Sequence, residues 1–308
     1  MSTITPKDGS IMVIGGSGFL GSYVADALTD NGYKVKIFDL KPSTWLRDGQ
    51  EMIIGDILDS QALEEAICGC KAVYLFAGLS DIDEAINRPI DTCKLNVLGC
   101  VNALEATRKA GSERFIYASS VYVYSRSGHF YRASKQAAEM FIEAYYERYQ
   151  MDYTILRYGS LYGRRADYRN GLYRLLYDAM TKKRISYGGT GEELREYIHV
   201  QDAADLSVEV LKEEFANKNI ILTGNEKMSV KNVMIMINEI LGNDIELVFS
   251  DNYRSGHYLI TPYAFNPRTG KKMISNIQTD MGQGLLDLIE EIHQKIKIND
   301  IITGKQDV

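Results

Sequence analysis

Tyr131 and Lys135 stand four residues apart in Tyr131-Arg132-Ala133-Ser134-Lys135. On a helix that spacing puts both on one face. An ammonium beside a phenol favours the phenolate and lowers its reference pKa of about 10. The tyrosine then becomes a base for a substrate hydroxyl near neutral pH. Ser119-Ser120 lies just upstream, and a serine there can hold the same hydroxyl, or the carbonyl it becomes. With 21 tyrosines in the chain, chance alone supplies about one such Tyr/Lys spacing, so its meaning rests on where the pair sits.

A second constellation binds rather than reacts. Gly15-Gly16-Ser17-Gly18-Phe19-Leu20-Gly21 satisfies both G-x-G-x-x-G and G-x-x-G-x-x-G. Glycines permit a tight turn and let a pyrophosphate approach the backbone. A helix opening there offers free N–H groups and positive potential. Asp39 closes the next apolar run. An acid at that point accepts hydrogen bonds from an adenosine ribose and repels a 2′-phosphate, which predicts NAD rather than NADP. Lys41 and Arg47 are close but do not replace the acid.

The elements that must position these groups are legible as an alternation. Short apolar runs fall at Ile11–Ile14, Lys34–Phe38, Met52–Ile54, Ala72–Phe76, Arg114–Ala118 and Tyr153–Arg157. Helical stretches lie between them: through Leu28, at about 61–67, from about 82 to 110 with a break at Pro89, and at about 131–149. Runs too continuous for half-exposed strands predict an α/β fold, a Rossmann-type doubly wound parallel sheet covered on both faces. The glycine loop follows the first strand and the Tyr/Lys pair follows the fifth, where an open sheet builds its cleft. The pattern loosens after Tyr158, and residues 164–195 are rich in Arg, Tyr and Gly. Later helices are expected at 229–241 and 281–297. The division predicted is a dinucleotide-binding domain at 1–165, returning at about 196–225. A smaller C-terminal substrate-binding lobe comes from 166–195 and 226–308. Tyr162, Tyr168, Tyr173 and Tyr177 are read mainly as an amphipathic face rather than a pocket lining.

Composition excludes other classes. The chain has 308 residues, 45% hydrophobic and 25% charged, which is globular rather than disordered. A net charge of -6 gives no global basic field for nucleic acid or an acidic membrane. No run of about 18 apolar residues is present, and the N-terminus does not read as a secretory signal. Cys68 and Cys70 lack a second Cys/His pair, so no metal is expected. Cys93 and Cys100, seven apart in one helical stretch, read as core. A reducing, cytoplasmic compartment fits best.

The motifs converge on a known pattern over roughly residues 10–225. Gly15–Gly21, Asp56-Ile57, Phe76-Ala77-Gly78-Leu79, Asn96-Val97-Leu98-Gly99, Ser119-Ser120, Tyr131/Lys135, Leu156-Arg157-Tyr158 and Arg195–Val200 together carry it. The chain resembles the extended short-chain dehydrogenase/reductases, in the NAD-dependent epimerase/dehydratase family that acts on nucleotide sugars. The resemblance implies Tyr131 as acid/base, Lys135 on the nicotinamide ribose and Ser120 on the sugar hydroxyl. It implies Gly15, Gly18, Phe19, Leu20, Gly21, Asp39, Asp56, Ile57, Phe76, Ala77, Gly78, Asn96, Ser119 and Tyr158 along the cofactor. Ser80, Ser160 and Arg195 would meet a nucleoside-diphosphate sugar, with Arg268 a second candidate for its pyrophosphate. His199 reads as structural. A homodimer is implied, paired through the helix ending near Ala110 and the Tyr131 helix.

Departures from the pattern keep alternatives open. Only ten residues separate Ser120 from Tyr131, fewer than in sugar-nucleotide epimerases, so the sugar pocket is expected to be differently walled. Ser160 replaces an expected Asn, and Arg164 an expected Pro. No Thr-Asp-Glu run follows at Ser119-Ser120, which disfavours a 4,6-dehydratase. The leading expectation is a 4-epimerase working through a 4-keto intermediate. The alternatives are a nucleotide-sugar 4-dehydrogenase or 4-ketoreductase, and a non-catalytic NAD-binding sensor.

Overall fold

A computed structural model describes residues 3–250, 256–262, 271–273 and 278–303. β1 (Ser10–Ile14) is apolar and almost wholly buried, and α1 (Phe19–Asp30) carries the chain over one face to β2 (Lys34–Asp39). β3 (Gln50–Ile54) and α2 (Ser60–Ile67) lead to β4 (Cys70–Leu75). Asp59 caps α2 by accepting the Ala62 N–H. α3 (Ile82–Asn87), α4 (Pro89–Cys93), a π-helical turn at Lys94–Leu98 and α5 (Gly99–Ala110) then reach β5 (Arg114–Ser120). α6 (His129–Tyr149) connects β5 to β6 (Tyr153–Tyr158).

The expected long helix over 82–110 is therefore three helices and a π turn. Pro89 opens α4, where its missing N–H costs nothing. The π turn shifts the helical phase between Cys93 and Cys100. Seven-residue spacing then no longer shares a face: Cys100 is buried but Cys93 is exposed, contrary to the core expectation.

β7 (Ser160–Tyr162), α7 (Gly171–Lys182), β8 (Arg184–Gly188), β9 (Leu194–His199) and α8 (Val200–Glu209) follow. Then come β10 (Lys218–Leu222), β11 (Lys227–Ser229), α9 (Val230–Ile240), β12 (Glu246–Ser250), β13 (Lys271–Met273) and α10 (Met281–Thr303). The main sheet runs β13-β10-β6-β5-β4-β1-β2-β3, and every pairing in it is parallel. Strand order reverses at β1, between β2 and β4. Ligands of open α/β sheets bind beyond the strand ends at such a point. One apolar cluster packs α1 and α8 on one face, and a second packs α2, α5 and α6 on the other. A third cluster joins α7, β8, α9 and α10. Tyr162 and Tyr173 are buried in it, Tyr177 packs against it, and Tyr168 is exposed. None of these four lines the cleft described next.

No described helix is long and apolar enough to cross a membrane.

Candidate active site

A cleft of about 1120 Å³ runs across the ends of β2, β1, β4, β5 and β6 toward α7 and β8. Ligand pockets commonly occupy roughly 300–1,000 Å³, so there is room here for two ligands end to end. Its first end is the glycine loop. Gly15 has φ +84°, and a Cβ there would stand 2.4 Å from the Ala77 nitrogen. A Cβ on Gly21 would stand 2.2 Å from the Gly15 carbonyl oxygen. Both positions require glycine for the turn to close onto α1. No side chain caps α1 at Gly18, and Gly18, Phe19, Leu20 and Gly21 line the cleft, leaving the positive helix end open to an anion. Asp39 ends β2 with Oδ2 accepting the Ser17 N–H at 3.0 Å and Oδ1 the Lys41 N–H at 3.3 Å. The loop and a fixed acceptor-only carboxylate fit the pyrophosphate and ribose of a dinucleotide.

Asp56, Ile57, Phe76, Ala77 and Gly78 continue the lining. Asn96 does not. It is 3% exposed, accepts the Leu79 N–H at 2.7 Å and donates to the Leu79 carbonyl and the Ser134 hydroxyl, each at 2.9 Å. The π turn aims it at the backbone, so it braces the Gly78–Leu79 loop against α6 rather than lining the cavity.

The middle of the cleft holds the reactive set. Ser120 ends β5, its hydroxyl oxygen accepts the Tyr122 N–H at 3.3 Å, and it lines the cleft with Tyr131. Tyr131 is 8% exposed, and burial pushes its phenol up to about 12, against a smaller lowering from the Ser120 hydroxyl. The expected lowering by Lys135 is absent: desolvation of the phenolate dominates, and Lys135 is not among the groups that shift it. Lys135 Nζ donates to the Ala118 carbonyl at 2.7 Å and lies 4.8 Å from the Tyr117 ring centroid and 5.9 Å from that of Tyr131. Burial draws its ammonium down to about 8. Ser119 lines the cleft, but its hydroxyl donates to Glu139 at 2.5 Å, inside a buried pair with Arg157.

Toward the far end stand Ser80, Tyr158, Ser160 and Arg195. The Tyr158 hydroxyl is engaged with Ser207 Oγ at 2.6 Å, so its ring rather than its hydroxyl faces the site. The Arg195 guanidinium lies 4.4 Å from the Tyr258 ring centroid. Arg268 lies outside the described residues. His199 caps α8, accepting the Gln201 N–H, and does not line the cleft.

Several lining residues had not been singled out from sequence as parts of the site. Arg165 stacks between Tyr23 at 4.3 Å and Trp45 at 4.7 Å, and pairs with Asp26 at 2.7 Å. Tyr122 lies two residues past the Ser119-Ser120 strand end and could have been found by that proximity. His257 comes from a segment with no periodic signal.

Fold and site together define a dinucleotide-dependent oxidoreductase on a Rossmann-type sheet. A family model described as the NAD dependent epimerase/dehydratase family matches residues 11–224, and the chain belongs to that family. It is 30% identical over 270 residues to a putative UDP-glucose 4-epimerase of Methanocaldococcus jannaschii, covering 80% of this chain and 87% of that one. A dTDP-glucose 4,6-dehydratase of Mycobacterium tuberculosis is 24% identical over 290 residues, covering 84% and 85%. Among solved structures, UDP-glucose 4-epimerase of Thermotoga maritima with UDP-glucose superposes with a TM-score of 0.80. That likeness, at 23% identity over 93% of this chain and 99% of the other, shows the shared fold.

Proposed function

We propose that this enzyme acts at C4 of a nucleoside-diphosphate sugar, as a 4-epimerase working through a 4-keto sugar. The observation that carries the reading is that Ser120, Tyr131 and Lys135 line the middle of one cleft whose first end is a glycine cradle. Gly15 and Gly18–Gly21 hold the NAD pyrophosphate, Asp39 the adenosine ribose, and Asp56 and Ile57 the adenine. Phe76–Gly78 flank the dinucleotide, and Lys135 holds the nicotinamide ribose. NAD, when bound, takes up and returns the C4 hydride.

The chain's own residues handle the proton. Ser120 holds the 4-oxygen, and Tyr131 takes the hydroxyl proton and later returns it. Lys135 is the cation that offsets the phenolate. Ser80 and Ser160, from the dinucleotide-binding domain, and Arg195, from the lobe built from 166–195 and 226–308, hold the nucleotide-sugar end. Val121 and Tyr122 follow Ser120, so no carboxyl stands there to drive elimination of water, which favours epimerase over dehydratase. Incubation with NAD and UDP-, GDP- and dTDP-hexoses tests this. A C4 epimer without net NADH is expected. Stoichiometric NADH would instead mark a 4-dehydrogenase, and no turnover of any sugar nucleotide a binding protein.

The product class, activated sugars, points to carbohydrate biosynthesis. Four free cysteines fit a reducing cytoplasm. Ile90, Leu98, Phe130, Met140 and Phe141 are exposed on the α4–α5 and α6 helices and support a homodimer through them, which light scattering checks.

A further inference from the structure

Beside Tyr131 stands a second hydroxyl with its own support. Tyr122 is 9% exposed and lines the cleft, its ring edge-on to Tyr131 at 6.0 Å and against Tyr258 at 4.5 Å. Its hydroxyl lies 3.1 Å from His257 Nδ1, and His257 Nε2 lies 3.2 Å from Asp83 Oδ1. Asp83 belongs to the first turn of α3. His257 lines the cleft and belongs to the segment 256–262, tied to β9 by the Leu194 N–H on the Leu259 carbonyl at 2.7 Å. This segment walls the space beside the short stretch between Ser120 and Tyr131.

The polarity of the chain follows from its ends. An ionised carboxylate only accepts, so His257 Nε2 carries the hydrogen. With the ring neutral, as an imidazole ordinarily is above about pH 6.5, Nδ1 accepts and the Tyr122 O–H donates to it. The Tyr122 oxygen then keeps lone pairs free to accept, on a side chain that lines the cleft. We infer that Tyr122 is a substrate-contacting residue that accepts a hydrogen bond from a ring hydroxyl of the sugar, and that His257 and Asp83 are positioning residues that hold it in this acceptor state. The inference rests on the proposed nucleotide-sugar reading. It adds that the sugar presents a hydroxyl donor, not a carboxylate or carbonyl, to this wall.

Calorimetric titration of the full-length protein, saturated with NAD, tests it. The probes are UDP, UDP-glucose, dTDP-glucose and GDP-glucose, with the tightest glucose conjugate compared with its own free nucleoside diphosphate. Tyr122→Phe is expected to leave the nucleoside diphosphate affinity unchanged and to weaken the glucose conjugate about tenfold. His257→Phe should act alike. His257→Gln, whose amide still accepts from Tyr122 and donates to Asp83, should restore most of the loss, which a merely structural role would not predict. An unchanged difference between conjugate and free nucleotide in Tyr122→Phe would overturn this inference alone. Failure of the wild-type protein to bind any of the three conjugates would overturn the nucleotide-sugar reading and the inference with it.

Discussion

Removing Glu139 should loosen the floor of the site more than any surface substitution. Its carboxylate meets Arg157 twice, Nη2–Oε2 at 2.6 Å and Nε–Oε1 at 3.0 Å, and also accepts the Ser119 hydroxyl. Arg157 also donates to the Tyr124 hydroxyl and lies over its ring, 4.6 Å from the centroid. The two charged side chains are only 2% and 5% exposed. Burial works against the Arg157 charge, but the Glu139 hydrogen bonds and charge more than offset it, holding the guanidinium above its usual value. Glu139→Leu leaves that charge buried without its counterion. Breaking one partner of a buried pair costs about 3–5 kcal/mol, and the lost Ser119 bond adds about 1 kcal/mol. Replacing both partners by leucine removes the stranded charge, so the double variant should be less destabilised than Glu139→Leu alone. Urea unfolding measures all three. A Glu139→Leu cost under about 1 kcal/mol, or a double variant as costly as the two singles summed, would refute the pair as drawn.

Three further outcomes follow from the site. Tyr131→Phe should lower kcat by about 10²–10⁴ while leaving NAD affinity near wild type, because only the acid/base hydroxyl is lost; steady-state kinetics with NAD titration separates the two. Lys135 has its pKa drawn down to about 8, so its ammonium is present below that pH and lost above it. NAD affinity should therefore fall as pH rises through 8, by up to about tenfold for a charged hydrogen bond, and a flat profile to pH 10 would contradict this. Asp39→Ala should weaken NAD binding about tenfold and narrow the preference over NADP, read from paired dissociation constants.

Much of this was legible in the residues. Continuous apolar runs identified the first six parallel strands because a buried strand needs no polar alternation, as β1 and β6 illustrate. The glycine loop was legible because Gly15 and Gly21 are fixed by backbone sterics, which sequence records directly. What escaped depends on three-dimensional phase and pairing. The π turn at Lys94–Leu98 has no compositional mark, yet it rotates Cys93 outward and turns Asn96 onto the Leu79 backbone. The short strands β8 and β12 pair across a long sequence interval. His257 reaches Tyr122 only through tertiary placement of a segment without periodicity. The Tyr/Lys spacing suggested a lowered tyrosine pKa, but burial reverses the direction.

The most direct measurement follows a deuterium label placed at C4 of the sugar nucleotide that the protein turns over. C4 oxidation and return within one site predicts a C4-epimeric product that keeps deuterium at C4, with no label lost to solvent and no net NADH. Epimer that has lost the C4 deuterium to solvent, or that forms equally well with Tyr131→Phe, would contradict chemistry at C4 through this site.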